Sequence, residues 1–199
     1  MRTFEIDDDV RIRVFSDTDS HAVYGAVVRN YDHLKTFMAW IKPDYSLADA
    51  AEFVERSIAE RKDKKSLSFG IFRGEALIGS IGFAYFDQDA KVTEIGYWID
   101  AAEEGKGIVS RASKLLIDFA FAELGMNRLQ IRCATVNSRS SAIPERFGFK
   151  KEGVQRQHII RDGKLYDFAI YGLLASEWKG VEPEHITYDY RHYRCPVGR

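Results

Sequence analysis

The sequence predicts an α/β (α+β) domain with a mixed, mostly antiparallel central sheet of about seven strands, flanked by helices. Three observations lead to this fold class. Short runs of β-branched and aromatic residues recur between charged or glycine-containing turns, as strands do. Longer segments between some of these runs carry apolar residues at helical spacing. Two of the turns are short enough for hairpins, which favours antiparallel neighbours.

The first third of the chain is predicted to contain one strand and two helices. Val10–Phe15 alternates apolar and charged residues and is predicted to be the first strand. Residues 16–19 supply candidate N-caps for a helix that runs to about Asn30. Residues 30–41 are aromatic and irregular, and two interpretations stay open: a hydrophobic staple between helices, or a wall of an acceptor pocket. Ser46–Lys62 is predicted to be the second helix.

The rest of the chain is predicted to contain six more strands and two further helices. Gly74 and Gly163 are placed in the hairpin turns between two pairs of these strands. A short helix over Ser138–Phe147 is expected to be interrupted, or to begin again, near Pro144. The predicted strands are Leu67–Phe72, Ala76–Phe86, Val92–Ile99, Arg128–Ala134, Lys151–Ile160 and Leu165–Leu174.

Composition narrows the class of protein. A chain of 199 residues suits one domain with a sizeable core, and 45% hydrophobic with 30% charged residues is ordinary for a globular protein. Lys and Arg total 29 and Asp and Glu total 30, so the net charge of −1 gives no electrostatic reason for a nucleic-acid or anionic-membrane partner. We therefore expect neither partner.

Targeting and metal-binding patterns are also missing from the sequence. The N-terminus lacks the apolar run of a signal peptide, and no run approaches the length of a membrane span. Cys133 and Cys195 make no disulfide framework, and the five histidines are scattered. The expectation is a cytoplasmic protein without a metal.

The stretch Val92–Leu124 joins a strand to a helix through a glycine turn. Residues 103–109 read EEGKGIV, and Ser110–Leu124 has helical spacing. The first turn of a helix offers unpaired N–H groups and partial positive charge, and Gly105 and Gly107 allow close approach of a ligand. This placement predicts a phosphate or pyrophosphate site.

Two general phosphate motifs do not fit this turn. A Walker A loop requires Ser or Thr directly after its lysine, and Lys106 is followed by Gly107 instead. A Rossmann fingerprint requires a third glycine where Ser110 stands.

The turn, read as residues 104–109, instead resembles the [QR]-x-x-G-x-[GA] pyrophosphate loop of the GNAT acetyltransferase superfamily, with Glu104 and Val109 as departures. Residues 94–99 (EIGYWI), 137–140 (NSRS) and 144–149 (PERFGF) are similar to the RimJ/RimL-type branch, the ribosomal-protein-alanine N-acetyltransferase-like enzymes. The resemblance covers roughly residues 8–179. It implies a single GNAT-like domain over 1–180, followed by a tail over 181–199.

The resemblance also implies the co-substrate, acetyl-CoA, and the residues that bind it. A free N–H around Tyr97 is expected to stabilise the oxyanion of the reaction. The expected binding residues are Ile95, Gly96, Tyr97, Trp98, Glu104, Gly105, Lys106, Gly107, Ile108, Val109, Asn137 and Arg146.

Four side chains are candidates for the chemistry. Glu94 is the candidate base, directly or through water, and its alternative is a structural pair with an arginine such as Arg132. Ser140 is expected to approach the CoA sulphur, as a proton donor or to position it, with a first-turn helix serine as the alternative. Cys133 is a second candidate acid, with a small buried strand residue as its alternative. His158 is the second candidate base, with an exposed strand position as its alternative.

The function implied is N-acetyl transfer from acetyl-CoA to a primary amine, with a protein or peptide N-terminal α-amine as the leading acceptor. A small-molecule amine and a non-catalytic acyl-CoA-binding domain are the alternatives. The aromatic residues of segment 30–44 favour an apolar or flat group beside the amine. The polar, aromatic tail is predicted to pack on a neighbour in a homo-oligomer or to be loose.

Overall fold

The computed structural model describes residues 3–161 and 163–180. These residues form one sheet with the strand order β1-β2-β3-β4-β5-β6-β8-β7. The predicted tail, Cys195 and Asp162 lie outside the described residues. The strands are β1 Thr3–Glu5, β2 Val10–Val14, β3 Leu67–Arg73, β4 Ala76–Asp87, β5 Val92–Ile99, β6 Arg128–Ala134, β7 Lys150–Arg161 and β8 Lys164–Leu174. The α-helices are α1 Ser20–Arg29, α2 Tyr31–Leu34, α3 Leu47–Lys62, α4 Ile108–Ala122 and α5 Ser138–Arg146.

The sheet is mixed and mostly antiparallel, as predicted from the sequence. Its single parallel pair, β5 with β6, is joined only over residues 92–94 and 128–130. Beyond Glu94 and Gln130 the two strands separate, which leaves the second half of β5 without a neighbour on that side. Strand β1 was not predicted, because three residues are too few to show an alternation; Phe4 anchors it in the core.

Helices cover both faces of the sheet. Helix α4 packs on one face through a side that includes Leu116 and Phe119, against Ile95 of β5. Helices α1 and α3 cover the other face with a core that contains Val27 and Val54. Strand β5 therefore lies between two apolar layers, and its successive side chains point alternately into one layer and the other.

Two predicted helix boundaries are corrected by the structure. Helix α4 begins at Ile108 rather than Ser110, because Gly107 adopts the left-handed φ of 73° that ends the turn. Helix α5 runs without interruption through Pro144, so the expected break is wrong. No helix in the described part of the chain is long and apolar enough to cross a membrane.

Candidate active site

The turn between β5 and α4 is shaped by two left-handed glycines. Gly105 has φ 77° and Gly107 has φ 73°, a region that a residue with a Cβ enters only with strain. Asp100 fixes the entry to the turn, since its side chain accepts a hydrogen bond of 3.0 Å from the backbone N–H of Ala102. The first N–H groups of α4 are thereby directed into open space, as an anion site requires.

A cavity of about 510 Å³ opens at this turn, and we call it the loop cavity. It lies between the turn, the first residues of α4, helix α5 and the segment after α2. It is lined by His33, Leu34, Phe37, Met38, Tyr97, Trp98, Ile99, Glu103, Glu104, Gly105, Gly107, Ile108, Val109, Ser110, Asn137, Arg139, Ser140, Ala142, Ile143 and Arg146.

Most of the predicted acetyl-CoA residues line the loop cavity, and three do not. Ile95 is buried in the core, Lys106 pairs with Glu103 at 3.1 Å, and Gly96 lines a different cavity. Sequence reasoning missed His33 and Arg139, which carry positive or titratable groups to this cavity. Only their proximity in the fold identifies them.

Glu104, the departure from the family pattern, has its carboxylate paired with a cation. Arg139 of α5 forms an ion pair with it, and His33 Nε2 of α2 lies 3.5 Å from it. Arg146 reaches the same region and donates a hydrogen bond to Ser110 Oγ. The negative charge of Glu104 is therefore offset where phosphates are expected.

Asn137 and Ser140 sit at the start of α5. The Asn137 side chain accepts a hydrogen bond of 3.1 Å from the Ser140 N–H, so it is the N-cap of the helix. The Ser140 hydroxyl donates to the Tyr97 oxygen at 3.3 Å. Burial raises the pKa of Tyr97, so its phenol stays protonated and can donate in turn.

Cys133 lies behind Ser140 on β6 and is buried. Burial raises the pKa of its thiol, and a hydrogen bond from Ser140 only partly opposes this effect. The thiol is therefore protonated near neutral pH and is a poor nucleophile.

Glu94 lies on the same face of β5 as Gly96 and Trp98 by the alternation of the strand. Its carboxylate accepts hydrogen bonds from Arg132 Nε at 2.9 Å and Gln130 Nε2 at 3.3 Å. It lines neither cavity, and it forms the arginine pair that the sequence left open as an alternative.

His158, the second candidate base, lies on an exposed part of β7. Its ring packs on Phe168 at 5.4 Å between centroids, and it lines neither cavity. The structure does not bring it together with the other candidates.

A second cavity, of about 410 Å³, lies on the α1 and α3 face of the sheet, and we call it the aromatic cavity. It shares Met38, Tyr97 and Trp98 with the loop cavity. Burial, together with the nearby Asp49 carboxylate, raises the pKa of Tyr45 in its wall to about 12. It is lined by Phe15, Val23, Val27, Met38, Trp40, Lys42, Tyr45, Asp49, Glu52, Phe53, Arg56, Ser68, Ser80, Gly82, Phe83, Ala84, Gly96, Tyr97 and Trp98.

Segment 30–41 contributes to both cavities. Trp40 lines the aromatic cavity and Phe37 the loop cavity, whereas Tyr31 lines neither. Among residues 3–161 and 163–180, no group of three or more His, Cys, Asp or Glu side chains could hold a metal ion.

Comparison with known proteins gives one family. The family profile described as "Acetyltransferase (GNAT) domain" matches residues 9–150. The Bacillus subtilis protein named "Putative ribosomal N-acetyltransferase YdaF" is 32% identical over 184 residues, which are 90% of this chain and 99% of that protein. The Escherichia coli "Ribosomal-protein-serine acetyltransferase" is 28% identical over 175 residues, 87% of this chain and 97% of that protein.

Solved structures agree with the family profile. The microcin C7 self-immunity acetyltransferase MccE, solved in complex with acetyl-CoA and AMP, superposes with a TM-score of 0.78 at 28% identity. The match covers 85% of this chain and 94% of MccE.

Proposed function

The chain belongs to the acetyltransferase (GNAT) family, and we propose that it acetylates the N-terminal α-amine of a protein or peptide by direct transfer. It is an acyl-CoA-dependent N-acetyltransferase, and acetyl-CoA is its co-substrate. The acceptor, the mechanism of transfer and the residue roles are the parts proposed below.

The contact between the two cavities carries the proposal. The loop cavity offers the helix N-terminus and cations to the phosphates of CoA, and the gap between β5 and β6 suits the pantetheine arm. The aromatic cavity approaches from the other face of the sheet and shares Met38, Tyr97 and Trp98 with it. A thioester and an amine can therefore meet at Tyr97 without an enzyme-bound intermediate.

Direct transfer requires one bond to form and one to break. The amine nitrogen attacks the thioester carbonyl carbon, and the oxyanion that develops is stabilised by a backbone N–H around Tyr97. The C–S bond then breaks, the departing thiolate takes the hydroxyl proton of Ser140, which lies beside Tyr97, and the Ser140 oxygen regains a proton from solvent water. The protonated Cys133 thiol disfavours the alternative of an acetyl-cysteine intermediate.

The amine must also lose a proton, and Glu94 is proposed to accept it through water. Its position on the aromatic-cavity face of β5, two residues before Gly96, supports this route. An α-amine needs only a weak base, because part of it is already deprotonated at neutral pH. With a pKa near 8, about one α-amine in ten is neutral at pH 7, against fewer than about one in a thousand for a lysine amine.

The names of two relatives also support a protein acceptor: one is called a ribosomal N-acetyltransferase, and the other a ribosomal-protein-serine acetyltransferase. A cytoplasmic location and a homo-oligomer remain predictions from the sequence.

The test is a competition between a peptide with a free N-terminus and its N-terminally blocked, lysine-containing counterpart. Fragmentation mass spectrometry reads the acetyl position, and CoA release gives the rate. Acetylation of the α-amine is expected. Predominant ε-acetylation, or faster turnover of spermidine than of any peptide, would contradict the proposal and favour a small-amine enzyme.

A further inference from the structure

The floor of the aromatic cavity is made of residues with little or no side chain. Ser68, Gly82 and Gly96 are direct partners across β3, β4 and β5, so they share one face of the sheet. A Cβ placed on Gly96 would meet no atom within 4 Å, which shows that this position opens onto free space. At Gly82 a Cβ would clash with the Leu67 carbonyl oxygen, so this glycine is packed against β3. The three residues form the floor of a trench that is open at Gly96, beside Tyr97 and Trp98.

The trench has a closed apolar end and an end that faces solvent. Phe15 and Val27 line it and are buried, with exposures of 1% and 0%. Trp40 also lines the trench, and 45% of its surface is exposed to solvent. Its ring packs against that of Trp98, with the ring centroids 6.4 Å apart. Aromatic faces therefore flank the path from the reaction centre towards solvent.

The charged residues of the cavity lining are paired with one another. Lys42 Nζ lies 2.8 Å from Asp49, and Arg56 lies 3.7 Å from Glu52. Hydrogen bonds from Lys42 and Ser46 lower the pKa of Asp49 to about 2, so this carboxylate is committed to its partners. Among the described lining residues, no carboxylate is left without a cation for a basic side chain to bind.

We propose that the aromatic cavity selects acceptors whose first residue, the one that carries the α-amine, has a large apolar or aromatic side chain. This inference rests on the proposed function, because it assigns the substrate side chain that lies in the trench. The side chain crosses the glycine floor, and the following residues leave past Trp40 and the ion pairs. A serine or alanine side chain would leave most of the 410 Å³ unfilled, so burial energy favours the larger group.

The experiment compares peptides that differ only in their first residue: Phe, Leu, Ala, Ser, Asp or Lys. We expect kcat/KM for the Phe and Leu peptides to exceed that for the Ser and Asp peptides by about tenfold or more. Equal or faster turnover of the Ser or Asp peptide would overturn the inference and leave the proposed function intact. If no peptide N-terminus is acetylated, the proposed function itself fails.

Two variants test the location of the effect. Ser68→Leu fills the trench, and we expect it to lower the Phe-to-Ser ratio of kcat/KM about tenfold while acetyl-CoA affinity stays the same. Trp40→Ala removes an exposed wall, and it should lower the ratio severalfold. Val28→Ala is the matched control, because Val28 is 48% exposed on α1 and lines neither cavity. Thermal melts establish that each variant is folded, and a ratio unchanged in folded Ser68→Leu and Trp40→Ala would also overturn the inference.

Discussion

Tyr97 donates a hydrogen bond of 2.9 Å from its hydroxyl to the carbonyl oxygen of Ser140. Within a regular helix that carbonyl would accept the N–H four residues later, but residue 144 is proline and has no N–H. Tyr97 supplies the missing donor from strand β5. The proline thereby ties the start of α5 to the strand at which the two cavities meet.

The first prediction concerns this link. Tyr97→Phe should lower the free energy of unfolding by about 1 kcal/mol or more, because it leaves a partly buried carbonyl without its donor. Adding Pro144→Ala to that variant restores a backbone N–H to the same carbonyl and should recover about 1 kcal/mol. Chemical denaturation of wild type, both single variants and the double variant gives the coupling energy. Additive effects would show that Pro144 and Tyr97 do not share the Ser140 carbonyl.

The second prediction concerns the leaving thiolate. Ser140→Ala should lower kcat more than Cys133→Ala, by about tenfold or more, because the hydroxyl lines the loop cavity and the thiol lies behind it. Acetyl-CoA affinity should change little in either variant. Single-turnover rates with saturating acceptor measure the chemical step. A nearly inactive Cys133→Ala beside an active Ser140→Ala would reverse the assignment.

The third prediction separates a base from a structural ion pair. If Glu94 accepts the proton through water, Glu94→Gln should lower kcat by about 10²–10⁴ and remove the lower limb of the pH–rate profile. Arg132→Gln is the matched variant, since it removes the cation 2.9 Å from Glu94 and keeps the carboxylate. If Glu94 acts as the base, this variant keeps the proton acceptor, so it should lower kcat far less than Glu94→Gln does. A Glu94→Gln variant that keeps the wild-type rate would mean that the proton leaves by another route.

The fourth prediction concerns the glycine turn. Gly107→Ala should weaken acetyl-CoA binding about tenfold or more, because a Cβ strains the left-handed backbone and would stand 3.1 Å from the Arg111 guanidinium. Gly125→Ala is the control: its φ of 63° carries similar strain, and it lies after α4, away from both cavities. Calorimetry should show weaker binding only in Gly107→Ala. Equal loss in both variants would attribute the effect to general destabilisation.

Local patterns were sufficient to predict most of the fold. Seven of the strands and the long helices α3 and α4 follow from periodicity, and the glycine turn follows from its place between strand and helix. The pairing of Glu94 with Arg132 was also among the sequence interpretations, and the structure contains it.

Local sequence patterns could not predict contacts between residues that are far apart in the chain. The separation of β5 from β6 after Glu94 depends on where each strand finds its other neighbour, which one segment does not encode. The Tyr97–Ser140 bond joins residues 43 positions apart, and the expected break at Pro144 failed because that bond replaces a helical one. His33 and Arg139 lie in segments that the sequence singled out, but their individual roles emerge only from their shared partner Glu104.

The last prediction concerns Glu104, which stands where the family pattern has Gln or Arg. The carboxylate faces the loop cavity, and CoA phosphates would lie near it, so like-charge repulsion opposes binding. Glu104→Gln keeps the size and a hydrogen-bond acceptor, removes the charge and frees Arg139 for a phosphate. Acetyl-CoA affinity should therefore rise severalfold, and Arg139→Gln should lower it. Calorimetry at low and high salt checks the cause, because an electrostatic gain shrinks as salt screens it. Weaker binding by Glu104→Gln at both salt concentrations would instead mean that the carboxylate is needed to hold Arg139 and His33 in place.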